Sequence, residues 1–164
     1  MTPGNRERGG PDPPGGGVIG PAVIDASVAL KWVVPEPGSS AALALYDRLE
    51  QAGAAVYVPD LFWSETASAL WRLTRGRGAL LSPDEARALF AALRSAPVRT
   101  DPVEPISAAA LEVAMATGAT PYDAAYVALA ELRDARLWTA DRALVGKLAG
   151  TDWEPRAMAL SALE

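Results

Sequence analysis

Short apolar segments alternate with longer segments of helical periodicity along most of this 164-residue chain. Residues 22–24 have the length and composition of a buried strand, whereas the apolar residues of 39–51 recur at helical spacing. Such alternation indicates parallel strands, because each parallel connection needs a crossover segment. The sequence therefore predicts an α/β fold, a three-layer α/β/α sandwich around a central, mainly parallel sheet. The predicted strands are 22–24, 56–58, 98–100 and 137–139, and the predicted helices are 27–34, 39–51, 59–75, 82–95, 106–117, 122–133 and 142–148.

The two ends of the chain differ from this alternating body. Residues 1–20 contain seven Gly and four Pro, a composition that cannot bury enough apolar surface to offset the entropy of ordering. We therefore predict a disordered leader over 1–20 and one folded domain over 21–150. Residues 151–164 are predicted to form a tail, with room for a short final strand or helix.

The composition limits the chemistry that is available. The chain contains no His and no Cys, so catalysis must rely on carboxylates, hydroxyls, Lys or Arg, or a bound metal. Lack of Cys, together with the lack of any segment resembling a signal peptide or membrane span, suggests a cytoplasmic protein with no membrane partner. The net charge of −5 argues against broad electrostatic attraction to nucleic acid, but not against an enzyme that acts on it.

Four acidic residues stand where the predicted fold could bring them together. Asp25 and Asp141 follow the first and last predicted strands, Glu65 lies within the helix 59–75, and Asp123 begins the helix 122–133. Ligands of parallel α/β sheets bind at the carboxyl ends of the strands. Carboxylates without imidazole or thiol partners suit a hard cation such as Mg²⁺ or Mn²⁺.

Each acid also has a purely structural interpretation. Asp25, Asp123 and Asp141 stand at predicted helix starts, where a carboxylate can cap the helix. Asp123 follows Thr120 at the spacing of a capping box. Glu65 could simply face solvent.

The helix that carries Glu65 favours a position at the rim of a cleft. Ser68 and Arg72 fall on the same stripe as Glu65 at 3.6 residues per turn. The neighbouring stripe is predicted to face the core, and it consists of Trp63, Ala67 and Leu70.

Taken together, the four acidic segments resemble a known family. They read VIDASVALKWVVPE, VPDLFWSETASAL, PYDAAYVALAE and LWTADRAL. In order and context they are similar to the acidic motifs of PIN-domain ribonucleases, and most closely to VapC-type toxins of bacterial toxin–antitoxin pairs. The resemblance covers about residues 22–148.

The resemblance implies an Mg²⁺-dependent endoribonuclease, with Mn²⁺ able to substitute. It implies RNA as substrate, a cognate VapB-type antitoxin that blocks the cleft, and a homodimer. The implied metal-binding and catalytic residues are Asp25, Glu65, Asp123 and Asp141. Ser27 and Thr139 are implied to place hydroxyls beside the site, and Ser68 stands where many relatives have Asn. Candidate phosphate contacts are Lys31, Arg72 and Arg142.

Two other functions remain open at this point. A haloacid-dehalogenase-like phosphohydrolase also places Asp after the first strand, but that family needs a second Asp where this chain has Ser27. A non-catalytic PIN-like interaction module is the other alternative. Retention of all four acids argues against it.

Overall fold

A five-stranded sheet forms the centre of the computed structural model, which describes residues 19–163. The strand order is β3-β2-β1-β4-β5, and every neighbouring pair is parallel. The predicted α/β class with a parallel central sheet is thus confirmed. The strands are β1 (Ala22–Ile24), β2 (Val56–Pro59), β3 (Arg99–Asp101), β4 (Arg136–Thr139) and β5 (Ala157–Ala159).

The helices provide the outer layers of the sandwich. Within the described residues α6 packs across β1, β2 and β4 and contacts α5, whereas α1 packs with α2, α3 and α4. No helix of this part of the chain is both long and apolar enough to cross a membrane. The helices are α1 (Ala26–Val33), α2 (Ser39–Gln51), α3 (Leu61–Leu73), α4 (Pro83–Arg94), α5 (Ser107–Thr117), α6 (Pro121–Leu132) and α7 (Arg142–Leu148).

The two ends of the chain flank the predicted folded domain of residues 21–150. The predicted leader over 1–20 lies outside the described residues except for residues 19 and 20. At the other end, β5 pairs with β4, so the sheet extends beyond residue 150 into the segment that we predicted as a tail.

Burial explains why the central strand has no alternating pattern. All three residues of β1 are fully buried, because helices cover both faces of a parallel sheet. The edge strand β3 is polar and largely exposed. The strand that directly precedes Asp25 is therefore fully apolar and fully buried.

The first turn of α4 contains a capping box. The Ser82 hydroxyl accepts a hydrogen bond from the Glu85 backbone N–H at 3.2 Å, and the Glu85 carboxylate accepts one from the Ser82 N–H at 2.7 Å. Both donors belong to the otherwise unpaired first turn of the helix. This local sequence signal therefore fixes where α4 begins.

The predicted core face of α3 was wrong for Ala67, which is exposed. Leu70 is buried and Trp63 is half-buried against the core, and the other fully buried positions of α3 are Phe62 and Thr66. Thr66 can face the core because its hydroxyl donates to the Phe62 carbonyl oxygen of the same helix at 2.9 Å. A polar residue with an internal partner therefore occupied a core position that the pattern assigned to apolar neighbours.

The strand order creates a cleft beside β1. From β1 the chain moves outward to β2 and β3, and then returns to place β4 on the other side of β1. The connections that follow β1 and β4 therefore run in opposite directions. Open α/β sheets bind ligands at the carboxyl ends of two such neighbouring strands. Asp25 follows β1 and Thr139 ends β4 at this position.

Candidate active site

Asp25 is fixed at the carboxyl edge of the sheet by both backbone and side chain. Its N–H donates to the Trp138 carbonyl oxygen at 3.1 Å, which extends the pairing of β1 with β4. Its Oδ2 accepts hydrogen bonds from the hydroxyls of Ser27 at 2.9 Å and Thr139 at 2.5 Å, and Oδ1 accepts the Ser27 N–H at 3.3 Å. Asp25 therefore caps α1 and also presents a carboxylate at the cleft.

The two hydroxyls that hold Asp25 also join β4 to the start of α7. Thr139 is fully buried, and its Oγ1 accepts the Asp141 N–H at 3.0 Å. The Ser27 hydroxyl accepts the Ala140 N–H at 3.1 Å. Each hydroxyl thus donates to the carboxylate and accepts from the backbone, so the Asp25 side chain has little freedom to rotate.

Thr139→Val should test this linkage. The substitution keeps the side-chain shape but leaves the partly buried Asp141 N–H without its acceptor and removes one of the two hydroxyl donors to Asp25 Oδ2. We expect a loss of about 1–3 kcal/mol in the free energy of unfolding, measured by urea denaturation. Thr100→Val is the matched control, because the Thr100 hydroxyl accepts the Trp63 indole N–H at 3.0 Å at an exposed position, where water can replace it. It should change stability by no more than about 0.5 kcal/mol. Equal losses in both variants would contradict the linkage.

Glu65 is held by a residue that sequence reasoning did not single out. Glu65 is half-buried on α3, and its Oε2 accepts a hydrogen bond from the Tyr126 hydroxyl at 2.5 Å. Tyr126 is buried on α6, one turn after Asp123. The available signal was a Tyr within an Ala-rich helix, because a buried phenol hydroxyl needs a polar partner.

The negative charge of Asp123 acts on both Asp25 and Glu65 in this cleft. Burial is the main cause that raises the pKa of Asp25, the hydrogen bonds from Thr139 and Ser27 oppose it, and the negative charge of Asp123 adds to the rise. The pKa of Glu65 is also raised, first by burial and then by the charges of Asp25 and Asp123, against the hydrogen bond from Tyr126. Asp25, Glu65 and Asp123 therefore form one electrostatic cluster, which we call the acidic cluster.

No Lys or Arg within residues 19–163 forms an ion pair with a member of the acidic cluster. Three anions share a partly buried cleft without a protein cation to offset them. Such an arrangement is unfavourable in itself, because charges removed from water need a partner of opposite sign. The cluster therefore favours a bound cation.

Asp123 lies in the first turn of α6 and is held by Thr120. The Thr120 hydroxyl accepts the Asp123 N–H at 3.1 Å and donates to Asp123 Oδ2 at 2.7 Å. Thr120 thus caps α6 as its spacing predicted, but the Asp123 carboxylate binds the hydroxyl rather than the Thr120 N–H. Asp123 is therefore both part of the first turn of α6 and a member of the acidic cluster.

Asp141 lies next to the acidic cluster and caps α7. Its Oδ1 accepts the N–H groups of Ala143 at 2.8 Å and Leu144 at 3.1 Å. The Asp141 N–H donates to the Thr139 hydroxyl, which in turn donates to the Asp25 carboxylate. Asp141 is not among the charges that raise the pKa of Asp25 or Glu65.

Lys31 on α1 and the pair Ser68 and Arg72 on α3 form hydrogen bonds away from the acidic cluster. Lys31 donates to Glu36 at 2.9 Å and to the Pro37 carbonyl oxygen at 2.8 Å, beyond the end of α1. Arg72 donates to the Ser68 hydroxyl at 3.1 Å on the exposed side of α3. Ser68 therefore binds Arg72, and no hydrogen bond among the described residues brings it to an acidic side chain.

The donor set fits a hard divalent cation that keeps part of its water shell. Every side chain of the acidic cluster offers oxygen, the ligand type that Mg²⁺ and Mn²⁺ prefer. Across residues 19–163, however, no three acidic side chains are gathered closely enough to enclose an ion by themselves. Mg²⁺ commonly binds through one or two carboxylates and several waters, so a fully closed cage is not needed.

Comparison with known proteins identifies the family and supports the fold. The sequence model of the PIN domain matches residues 22–147, which include all four acidic residues. The chain belongs to the PIN-domain family. This PIN domain is 35% identical over 127 residues to ribonuclease VapC3 of Pyrobaculum aerophilum, covering 76% of this chain and 92% of that protein. The resemblance to VapC-type ribonucleases is thus confirmed.

Solved structures of PIN-domain relatives share the architecture. PAE2754 from Pyrobaculum aerophilum is 26% identical, with a TM-score of 0.58 and coverage of 87% of this chain and 85% of that one. Mycobacterium tuberculosis VapC20, described as a toxin that cleaves the sarcin–ricin loop, is 19% identical, with a TM-score of 0.57 and coverage of 79% and 95%. At that identity the likeness to VapC20 supports the fold alone.

Proposed function

We propose that this PIN-domain protein is an endoribonuclease toxin that hydrolyses RNA phosphodiester bonds with the help of Mg²⁺, for which Mn²⁺ can substitute. One observation carries the proposal: at the carboxyl edge of the sheet the charge of Asp123 raises the pKa of Asp25, the charges of Asp25 and Asp123 raise the pKa of Glu65, and no Lys or Arg of residues 19–163 forms an ion pair with any of the three. The 35% identity to a protein named as a ribonuclease supports RNA as the substrate. The haloacid-dehalogenase alternative is dropped, because the chain belongs to the PIN-domain family.

The acidic cluster is proposed to hold the cation. When bound, the cation would supply an activated water and offset the charge that develops on the phosphate. Ser27 and Thr139 keep the Asp25 carboxylate in one orientation through their hydrogen bonds. Asp141 is proposed to act through water, since its Oδ1 already caps α7.

Arginine side chains near the cleft are proposed to contact the RNA backbone. Arg142 is exposed at the start of α7, next to Asp141, and Arg72 is exposed on α3, two turns after Glu65. Contacts to phosphates position a nucleic acid without reading its sequence. Lys31 would first have to leave its ion pair with Glu36, so it is the weakest of the three predicted contacts.

A cognate VapB-type antitoxin is proposed to neutralise the enzyme by covering the cleft. The uncompensated negative charge of the acidic cluster would attract a basic side chain of such a partner. A homodimer is proposed as the assembly. Exposed apolar side chains on α5, Leu111 and Met115, offer a surface for this contact.

The chemistry predicts which ends the cleaved RNA carries. The chain has no imidazole to remove a proton from a ribose 2′-OH near neutral pH, so water is expected to attack the phosphate. Cleavage of a defined RNA with Mg²⁺ should leave 5′-phosphate and 3′-hydroxyl ends, and EDTA should reduce cleavage to background. A 2′,3′-cyclic phosphate among the products, or cleavage that resists EDTA, would overturn the proposed mechanism.

A further inference from the structure

The hydroxyl of Tyr126 is the polar group that joins α6 to the acidic residue of α3. It donates to Glu65 Oε2 at 2.5 Å across a sequence separation of 61 residues. The Tyr126 ring is buried, with 1% of its surface exposed, so the hydroxyl cannot turn to solvent for another partner. The bond therefore fixes the position of one Glu65 oxygen relative to α6.

The same hydroxyl lies close to Asp25. The charges of Asp25 and Glu65 both raise the pKa of the Tyr126 hydroxyl, after burial as the largest cause, and the nearby Ala26 N–H opposes the rise. Ala26 begins α1 directly after Asp25. Tyr126 thus stands between the elements that carry two members of the acidic cluster and on the helix that carries the third, Asp123.

We propose that Tyr126 is a positioning residue for metal binding: its hydroxyl retains Glu65 Oε2 and leaves Oε1 as the oxygen for the cation. This inference rests on the proposed function, in which Glu65 helps to bind the ion. Glu65 is only half-buried and is repelled by Asp25 and Asp123, so without a donor its flexible side chain would turn towards water. The hydrogen bond opposes that movement before a cation arrives.

A purely structural role makes a different prediction. If the Tyr126 hydroxyl only satisfied its own need for a partner, removing it would change stability but not the affinity for a cation. Partners that orient a metal ligand without touching the metal typically contribute 10–100-fold to affinity, so the two roles are separable by measurement.

Mn²⁺ titration of the purified protein, followed by electron paramagnetic resonance, tests the proposal. We expect Tyr126→Phe, which keeps the ring, to weaken Mn²⁺ binding by about 10–100-fold. Tyr46→Phe is the matched control, because Tyr46 packs edge-on against Trp32 and its hydroxyl bonds to no residue of 19–163. It should leave the affinity unchanged. Circular dichroism and thermal unfolding verify that both variants are folded.

A double-mutant cycle assigns the effect to Glu65. In a Glu65→Ala background Tyr126→Phe should change Mn²⁺ affinity less than about 2-fold, because the group that the hydroxyl holds is gone. Unchanged affinity of Tyr126→Phe, or an equal loss in both backgrounds, would overturn the positioning role. A wild-type protein that binds Mn²⁺ but does not cleave RNA would remove the proposed function and leave the positioning role standing, whereas a wild-type protein that binds no Mn²⁺ removes both.

Discussion

Asp25→Asn is expected to lower the rate of RNA cleavage at least about 100-fold, because residues that merely orient a metal ligand already contribute 10–100-fold. Asparagine keeps the shape of the side chain and one oxygen for the hydroxyls of Ser27 and Thr139. It removes the negative charge that the acidic cluster needs to hold a cation. The rate would be measured on a defined RNA with Mg²⁺ in excess.

The same variant should remain folded at neutral pH without metal. Burial and the charge of Asp123 raise the pKa of Asp25, which means that the folded state disfavours its ionised form. Asparagine removes that unfavourable charge, which offsets the loss of the oxygen that accepts the Ser27 N–H, so we expect the variant to stay folded. Thermal unfolding measures this directly. A marked drop in stability would show that the Asp25 charge supports the fold instead.

Asp47→Asn is the matched control for activity. Asp47 is exposed on α2, and its carboxylate has no hydrogen bond or ion pair within residues 19–163. It should retain the full rate of cleavage and the full stability. Full activity of Asp25→Asn, or an equal loss in both variants, would reject Asp25 as a residue of the site.

The positions of Asp25 and Thr139 were predictable from sequence because strand ends are local signals. A fully apolar segment followed by Asp and a helix fixes the end of β1, and a second such segment fixes the end of β4. Topology then brings both ends to one edge of a parallel sheet. The hydroxyl–carboxylate contact between them is a direct consequence of that register, in which Ile24 pairs with Trp138.

Contacts that depend on helix rotation and on long-range pairing were not predictable. The periodicity of α3 allowed either of two neighbouring stripes to face the core. Thr66 can occupy a buried position because its hydroxyl forms a hydrogen bond within the helix, which the pattern of apolar residues does not indicate. The bond between Tyr126 and Glu65 joins two helices whose relative placement no local pattern specifies.

Addition of Mn²⁺ should stabilise the protein, and the effect should grow as the pH rises. The pKa values of Asp25 and Glu65 are raised in the folded state, so between the ordinary carboxyl values and the raised ones the folded chain binds more protons than the unfolded chain. Without metal, these two groups should therefore lower the free energy of unfolding as the pH increases through that range. Protonated carboxyl groups cannot bind the ion, so the metal has its full stabilising effect only at pH values above that range.

The size of the effect follows from mass action. At a Mn²⁺ concentration 100 times the dissociation constant, the free energy of unfolding should increase by about 2.7 kcal/mol. Chemical denaturation from about pH 4 to about pH 8, with and without Mn²⁺, would measure both the metal effect and its pH dependence. Asp25→Asn should lose most of the stabilisation. The variant lacks one of the negative charges that the ion is expected to offset. Equal stabilisation of wild type and variant by Mn²⁺ would therefore place the cation elsewhere on the molecule.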